Sequence, residues 1–148
     1  MKSIFDKTIR DEVIGRINSL NEINSAQWGK MNLSQMLKHC ILWEEMVQGK
    51  KKYKRMFIGR LFGKMALKKV LKDETPLQHS TPTLPELMIK EKEGNIAIQK
   101  VEWISRIKEY ANFPNVDFVH AFFGKMTKEQ IGYIVYKHID HHLRQFNG

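Results

Sequence analysis

The chain has 148 residues, with 25 Lys and Arg against 16 Asp and Glu, six His and one Cys. That length is one domain's worth, enough to hold a core without staples, and a lone cysteine excludes any intrachain disulfide. No apolar run approaches the roughly 20 residues that cross a bilayer, and the charged start, Met1-Lys2-Ser3-Ile4-Phe5-Asp6-Lys7, lacks the apolar stretch of a secretory signal, so a single soluble, cytoplasmic domain is expected.

Four long amphipathic helices are predicted. The first runs from about Thr8 to Leu20, with Ile9, Val13, Ile17 and Leu20 at the spacing of one buried stripe. The second starts after Asn32, a cap residue with Gln35 as its capping-box partner, and stops near Gly49. Its apolar arc holds Leu33, Met36, Cys40, Trp43, Met46 and Val47.

A shorter basic amphipathic helix follows, with Phe57, Ile58, Leu61, Phe62 and Met65 forming a stripe between lysines. Pro76, Pro82 and Pro85 then mark an irregular connection, with one short alternating strand pattern at Leu84 to Ile89. The third long helix is predicted from about Ile96 to Ala111, ended by Phe113-Pro114-Asn115. The fourth opens on Thr127 with Gln130 as capping partner and runs through the histidines. An all-α bundle is the economical way to bury four such stripes, and the long connection leaves room for a crossover.

The chemistry concentrates in the last helix. At 100° per residue, with His138 as zero, Ile131 lies at about 20°, Ile134 at about −40°, Val135 at about 60° and His142 at about 40°. Both histidines therefore point where the apolar residues point. His141 lies near −60°, at the margin, and Asp140 faces away. On the second helix His39 falls between Met46 and Trp43 in the apolar arc. An imidazole in an apolar interior needs a partner, since leaving its nitrogens unbonded costs roughly 1–3 kcal/mol. A backbone carbonyl or side chain satisfies such a ring more often than a metal does. Three histidines from two helices can instead share one ion, and three protein ligands leave the open position of a catalytic site.

His79 and His120 lie in predicted loops and read as surface residues. Gln145, near −20° on the histidine wheel, and Gln35, one turn before His39, can orient ligands or serve as rim or capping residues. His141 reads as a supporting or exposed group rather than a ligand. Ile139 occupies the slot where a helical His-Glu-x-x-His peptidase carries its carboxylate, which disfavours zinc-peptidase chemistry. Cys40, about 100° from His39, reads as a small buried hydrophobe.

Ten of the cations lie between Lys50 and Lys72 with no acid among them: Lys50, Lys51, Lys52, Lys54, Arg55, Arg60, Lys64, Lys68, Lys69 and Lys72. Such a run is usually a solvated face. It can also draw an acidic cosubstrate to a pocket mouth, with Lys50, Lys51, Lys52, Lys54, Arg55 and Arg60 the candidate anion-attracting residues. In a third reading it makes the chain a binding module for nucleic acid or a membrane surface, with Phe57, Ile58 and Phe62 as anchors. No nucleic-acid motif accompanies it.

Three segments together resemble a branch of the DinB-like superfamily. They are Trp28-Gly29-Lys30-Met31-Asn32-Leu33-Ser34-Gln35-Met36-Leu37-Lys38-His39-Cys40, Phe122-Phe123-Gly124-Lys125-Met126-Thr127, and Tyr136-Lys137-His138-Ile139-Asp140-His141-His142-Leu143-Arg144-Gln145-Phe146. The resemblance implies a four-helix bundle, usually up-down-down-up, holding a divalent ion such as zinc or nickel at the positions of His39, His138 and His142. It also implies a small-molecule substrate and a low-molecular-weight thiol cosubstrate in a transfer or isomerisation, and it is compatible with a homodimer. The superfamily name implies no DNA binding.

Overall fold

A computed structural model of the chain describes residues 1–79, 81–113 and 117–148. It is mostly helical. Five helices, α1 (Lys7–Ser19), α2 (Leu33–Val47), α3 (Phe57–Val70), α4 (Ile96–Glu109) and α5 (Lys128–Gln145), are joined by 3-10 turns at Pro85–Leu87 and Tyr110–Asn112. A hairpin of two-residue strands, β1 (Val119–His120) and β2 (Gly124–Lys125), precedes α5.

The two helices that carry the histidines begin where side chains can close their free N–H groups. Asn32 accepts from the Gln35 backbone N–H at 2.9 Å while the Gln35 side chain accepts from the Asn32 N–H at 3.0 Å. Thr127 and Gln130 repeat the exchange at the head of α5. Each such cap is worth about 1 kcal/mol and fixes the register in which the helix starts.

Helix α4 packs against α2 and α1, and α5 packs against α1 and α2. Between them lie Ile17, Met36, Leu37, Ile41, Trp103, Ile107, Ile131, Ile139 and Leu143, all inaccessible to solvent. Burying each large apolar side chain stabilises the fold by roughly 1.5–3 kcal/mol, so the stripes read from sequence supply most of the driving force. Asp140, on the side of α5 away from the histidines, is nevertheless buried. It accepts from Arg16 at 2.8 Å and from Arg144 at 2.7 Å, tying α5 to α1.

A second buried polar group sits on α2. Glu44 is fully inaccessible and accepts a short hydrogen bond from the Tyr110 hydroxyl. Burial pushes its carboxyl up to about 8, outweighing the downward pull of the Tyr110 hydroxyl.

Three expectations need correction. The Leu84 to Ile89 segment holds no strand but a 3-10 turn at Pro85–Leu87, because Pro85 starts a tight turn instead of offering a donor to a partner strand. The chain is not purely helical, since the β1–β2 hairpin closes before α5. Gly124, at φ +83°, supplies a backbone conformation that other residues rarely adopt. The basic helix is as long as α4, at 14 residues, and its apolar stripe faces outward. Its buried face is Gly59, Gly63 and Leu67. A Cβ on Gly59 would lie 2.5 Å from the Phe122 carbonyl oxygen, and one on Gly63 would meet the same oxygen, so the two glycines let helix and hairpin backbones touch. Arg55 fastens the junction by donating to the carbonyls of His120, Ala121 and Phe122. Farther along, the buried Lys137 ammonium donates to the carbonyls of Val70, Asp73 and Thr75, clasping the end of α3 to α5. The expected Phe113-Pro114-Asn115 stop falls partly outside the described residues; α4 gives way to its 3-10 turn at Tyr110.

Candidate functional site

The phase of α5 and the phase of α2 meet in one place. His39, His138 and His142 each offer a ring nitrogen, and these nitrogens lie within 4.8 Å of one another. Ring centroids are 4.6 Å apart for His138 and His142, 4.8 Å for His39 and His142, and 5.3 Å for His39 and His138. Three imidazoles so arranged could hold a metal ion.

What sets their orientation is the second nitrogen of each ring. His39 Nδ1 lies 2.9 Å from the Leu87 carbonyl, which fixes Nδ1 as the N–H donor and leaves a lone pair on Nε2. The 3-10 turn at Pro85–Leu87 is therefore part of the site, and Gln35 helps to hold it. Its Nε2 donates to the Ile89 carbonyl at 3.0 Å while its oxygen closes the α2 cap. Gln35 thus acts on the connection rather than on a histidine ring.

Gln145 has a closer part. It is buried, its Oε1 accepts from His142 Nδ1 at 2.9 Å, and its Nε2 donates to the Trp28 carbonyl at 2.7 Å. His142 Nε2 is thereby left free. Gly29, at φ +82°, makes room for this amide, because a Cβ there would lie 2.7 Å from Gln145 Nε2. The glycine in the Trp28-Gly29 pair thus serves both a turn and the histidine's support.

His138 lacks such a tether. Its ring stacks on Trp43 with centroids 4.1 Å apart and planes 10° apart, and its Nε2 lies 3.2 Å from His39 Nε2. Its Nδ1 is buried with no hydrogen-bond partner. Two nitrogens bound to one tetrahedral ion at about 2.0–2.1 Å are about 3.3–3.4 Å apart, close to the observed spacing. His138 Nδ1 goes unmatched in either state, as a lone pair if Nε2 donates to His39 and as an N–H if Nε2 binds an ion.

All three rings favour the neutral form that a metal requires. Burial lowers the pKa of His39 despite the Leu87 carbonyl. Burial first, and the neighbouring histidines second, drive His138 and His142 well below the usual imidazole range. Among the described residues no carboxylate or thiol joins the three histidines as a ligand. Cys40 is buried with its thiol against Met36 Sδ at 3.6 Å, and burial pushes its pKa up, which leaves it protonated.

The remaining histidines surround this core. His141 is half-buried between the His142 ring, at 5.0 Å, and the Trp28 ring, at 5.5 Å. His79 is exposed, as expected, but stacks on Trp28 at 3.8 Å with planes 7° apart. His120 is not a surface residue. It is buried, its Nδ1 accepts from the backbone N–H groups of Phe122 and Phe123, and burial lowers its pKa to about 4. The signal was present in its aromatic neighbours Phe118 and Phe123, whose rings lie 5.9 and 4.7 Å from that of His120. The Leu87 carbonyl had no such signal, being main chain 48 residues from His39.

The candidate anion-attracting residues serve different ends. Lys50 pairs with Glu109, Lys51 pairs with Glu45, and Arg55 is spent on hairpin carbonyls. Lys52, Lys54 and Arg60 are exposed with no ion pair among the described residues.

No curated protein and no solved structure matches the chain. A family model does match, over residues 4–148, which takes in every helix and all three converging histidines. The chain belongs to the family described as protein of unknown function (DUF1569).

Proposed function

We propose that this chain is a metal-dependent enzyme of the DinB-like type, with one divalent ion, zinc or nickel, held by His39, His138 and His142. The reading carries with it a small-molecule substrate and transfer to a low-molecular-weight thiol. One observation supports it above the rest: three imidazoles from two helices offer ring nitrogens within 4.8 Å of one another, and the opposite nitrogens of His39 and His142 are already bound to Leu87 and Gln145. Such outer partners commonly fix the tautomer and strengthen the ligand.

When bound, an ion with three protein ligands and an open position lowers the pKa of a coordinated thiol or water. The chain's own residues do the rest. Leu87 and Gln145 aim two rings, and Trp43 holds the third by stacking. The buried Cys40 thiol stays protonated and out of the reaction, so a thiol nucleophile must come from the cosubstrate. Ile139 is buried and apolar, which leaves the slot after the first histidine without the carboxylate that a helical peptidase uses as its base.

Elemental analysis of protein purified without chelator tests the metal. Near-stoichiometric zinc or nickel is expected, absent from His138→Ala; metal-free wild-type protein that gains no thermal stability from either ion contradicts the reading. A screen of thiol cosubstrates with electrophilic acceptors then tests the reaction, which should stop when the ion is removed.

A further inference from the structure

Helix α3 presents an unusual outer surface. Among the described residues eleven large apolar side chains are exposed, and five of them, Phe57, Ile58, Leu61, Phe62 and Met65, lie within nine consecutive positions. They are between 49% and 76% exposed, so each leaves about half or more of its surface in water. Taking Phe57 as zero, Leu61, Met65, Ile58 and Phe62 stand at about 40°, 80°, 100° and 140°, one continuous face. The glycines that seat the helix on the hairpin, Gly59 and Gly63, stand at about 200° and 240°, on the opposite side. The apolar face is thus held outward by the packing that anchors the helix.

Cations lie at the end of that face and beside it. Lys68 and Lys69, at about 20° and 120°, rise within it one turn beyond Met65, and Arg60 stands outside its edge at about 300°. Arg60, Lys68, Lys69 and Lys72, together with Lys52 and Lys54 on the approach to the helix, are exposed and form no ion pair among the described residues. No acid occurs between Lys50 and Lys72.

We infer that the outer face of α3 docks on an anionic lipid surface, its five apolar side chains entering the acyl boundary while the lysines meet phosphate headgroups. The pattern is that of an interfacial helix: apolar bulk on one face, lysine and arginine around it, and too short to span. Charge decides between occupants. A second copy pairing its α3 against this one would bring two acid-free sets of cations together, and charge repulsion opposes that arrangement. Nucleic acid would satisfy the lysines but leave Ile58, Leu61 and Met65 in water, whereas an acidic bilayer satisfies both. The histidine site plays no part in this inference.

The test uses the full-length chain in co-sedimentation with vesicles of pure phosphatidylcholine, and with vesicles of about three parts phosphatidylcholine to one part phosphatidylglycerol. Binding to the acidic vesicles, weakened by salt and nearly absent on the neutral ones, is expected. Lys68→Glu with Lys69→Glu should reduce it by roughly tenfold or more. Leu61→Ser with Met65→Ser should reduce it comparably while leaving the helical circular dichroism unchanged, because both side chains lie mostly in solvent. The inference is overturned by no binding to acidic vesicles at low salt, by equal binding of the Leu61→Ser/Met65→Ser variant, or by a wild-type dimer in sedimentation that the same variant converts to monomer. Salt-dependent binding to duplex DNA without vesicle binding overturns it in favour of nucleic acid.

Discussion

Helices α5 and α3 read alike in the sequence and behave in opposite ways. Both are amphipathic, both mix apolar residues with cations, and both offer a continuous apolar stripe. In α5 the stripe turns inward and carries His138 and His142 to the meeting point with His39. In α3 the stripe turns outward, and the packed side is built from two glycines against the Phe122 backbone. Helical periodicity tells which residues share a face; it does not tell which face a helix gives to its neighbour. For α3 the deciding signal is the four-residue glycine spacing, which permits backbone contact that any side chain would prevent.

The sharpest way to break this comparison is to remove the convergence in α5. His138→Ala should reduce bound metal from near one ion per chain to none measurable, and abolish any thiol-transfer activity, while the helical spectrum is retained. Gln145→Leu is the subtler version. It leaves three imidazoles but frees His142 to rotate, and metal affinity should fall by about 10–100-fold in a competition titration with a chromogenic chelator. Unchanged affinity would reduce Gln145 to a packing residue.

The glycine side of α3 gives the next effect. Gly63→Ala forces a methyl group onto the Phe122 carbonyl and should destabilise the fold by about 1–3 kcal/mol, with faster hydrogen exchange confined to α3 and the hairpin. On the outer side, Leu61→Ser should change stability by no more than about 0.5 kcal/mol, since most of the side chain is already in solvent.

Glu44 separates the second buried polar group of α2 from the first. Its folded pKa is raised to about 8 from an ordinary value of 4.5. Between those values the folded chain holds a proton that the unfolded chain releases, so stability falls as pH rises from about 4.5 to 8 and levels off above that. Glu44→Gln removes this dependence. Relative to wild type its melting temperature should therefore rise as pH is raised from 5 to 8, with bound metal unchanged; a metal loss in this variant would join Glu44 to the histidine site.

Much of this was legible because the relevant signals are local. The capping pairs Asn32–Gln35 and Thr127–Gln130 announced two helices, and the phase of His138, His142 and His39 among apolar neighbours placed all three on inward faces. What was not legible came from chain segments far apart in sequence. The Leu87 carbonyl reaches His39 from a turn whose alternating residues mimic a strand, and Trp28 reaches Gln145 across 117 positions. His120 was misread because a loop residue is taken as exposed unless something covers it, and its cover is the aromatic hairpin itself. Composition likewise misleads about the cations. Lys50, Lys51 and Arg55 belong to the same run as Lys68 and Lys69, yet the first three already have partners within the chain.

X-ray absorption at the metal edge of the protein as purified tests the central claim most directly. Three imidazole nitrogens at about 2.0–2.1 Å around a single zinc or nickel ion, reduced to two in His142→Ala, is the result expected. A coordination sphere of oxygen alone, or one that His142→Ala leaves unaltered, would mean that the three histidines meet without sharing an ion.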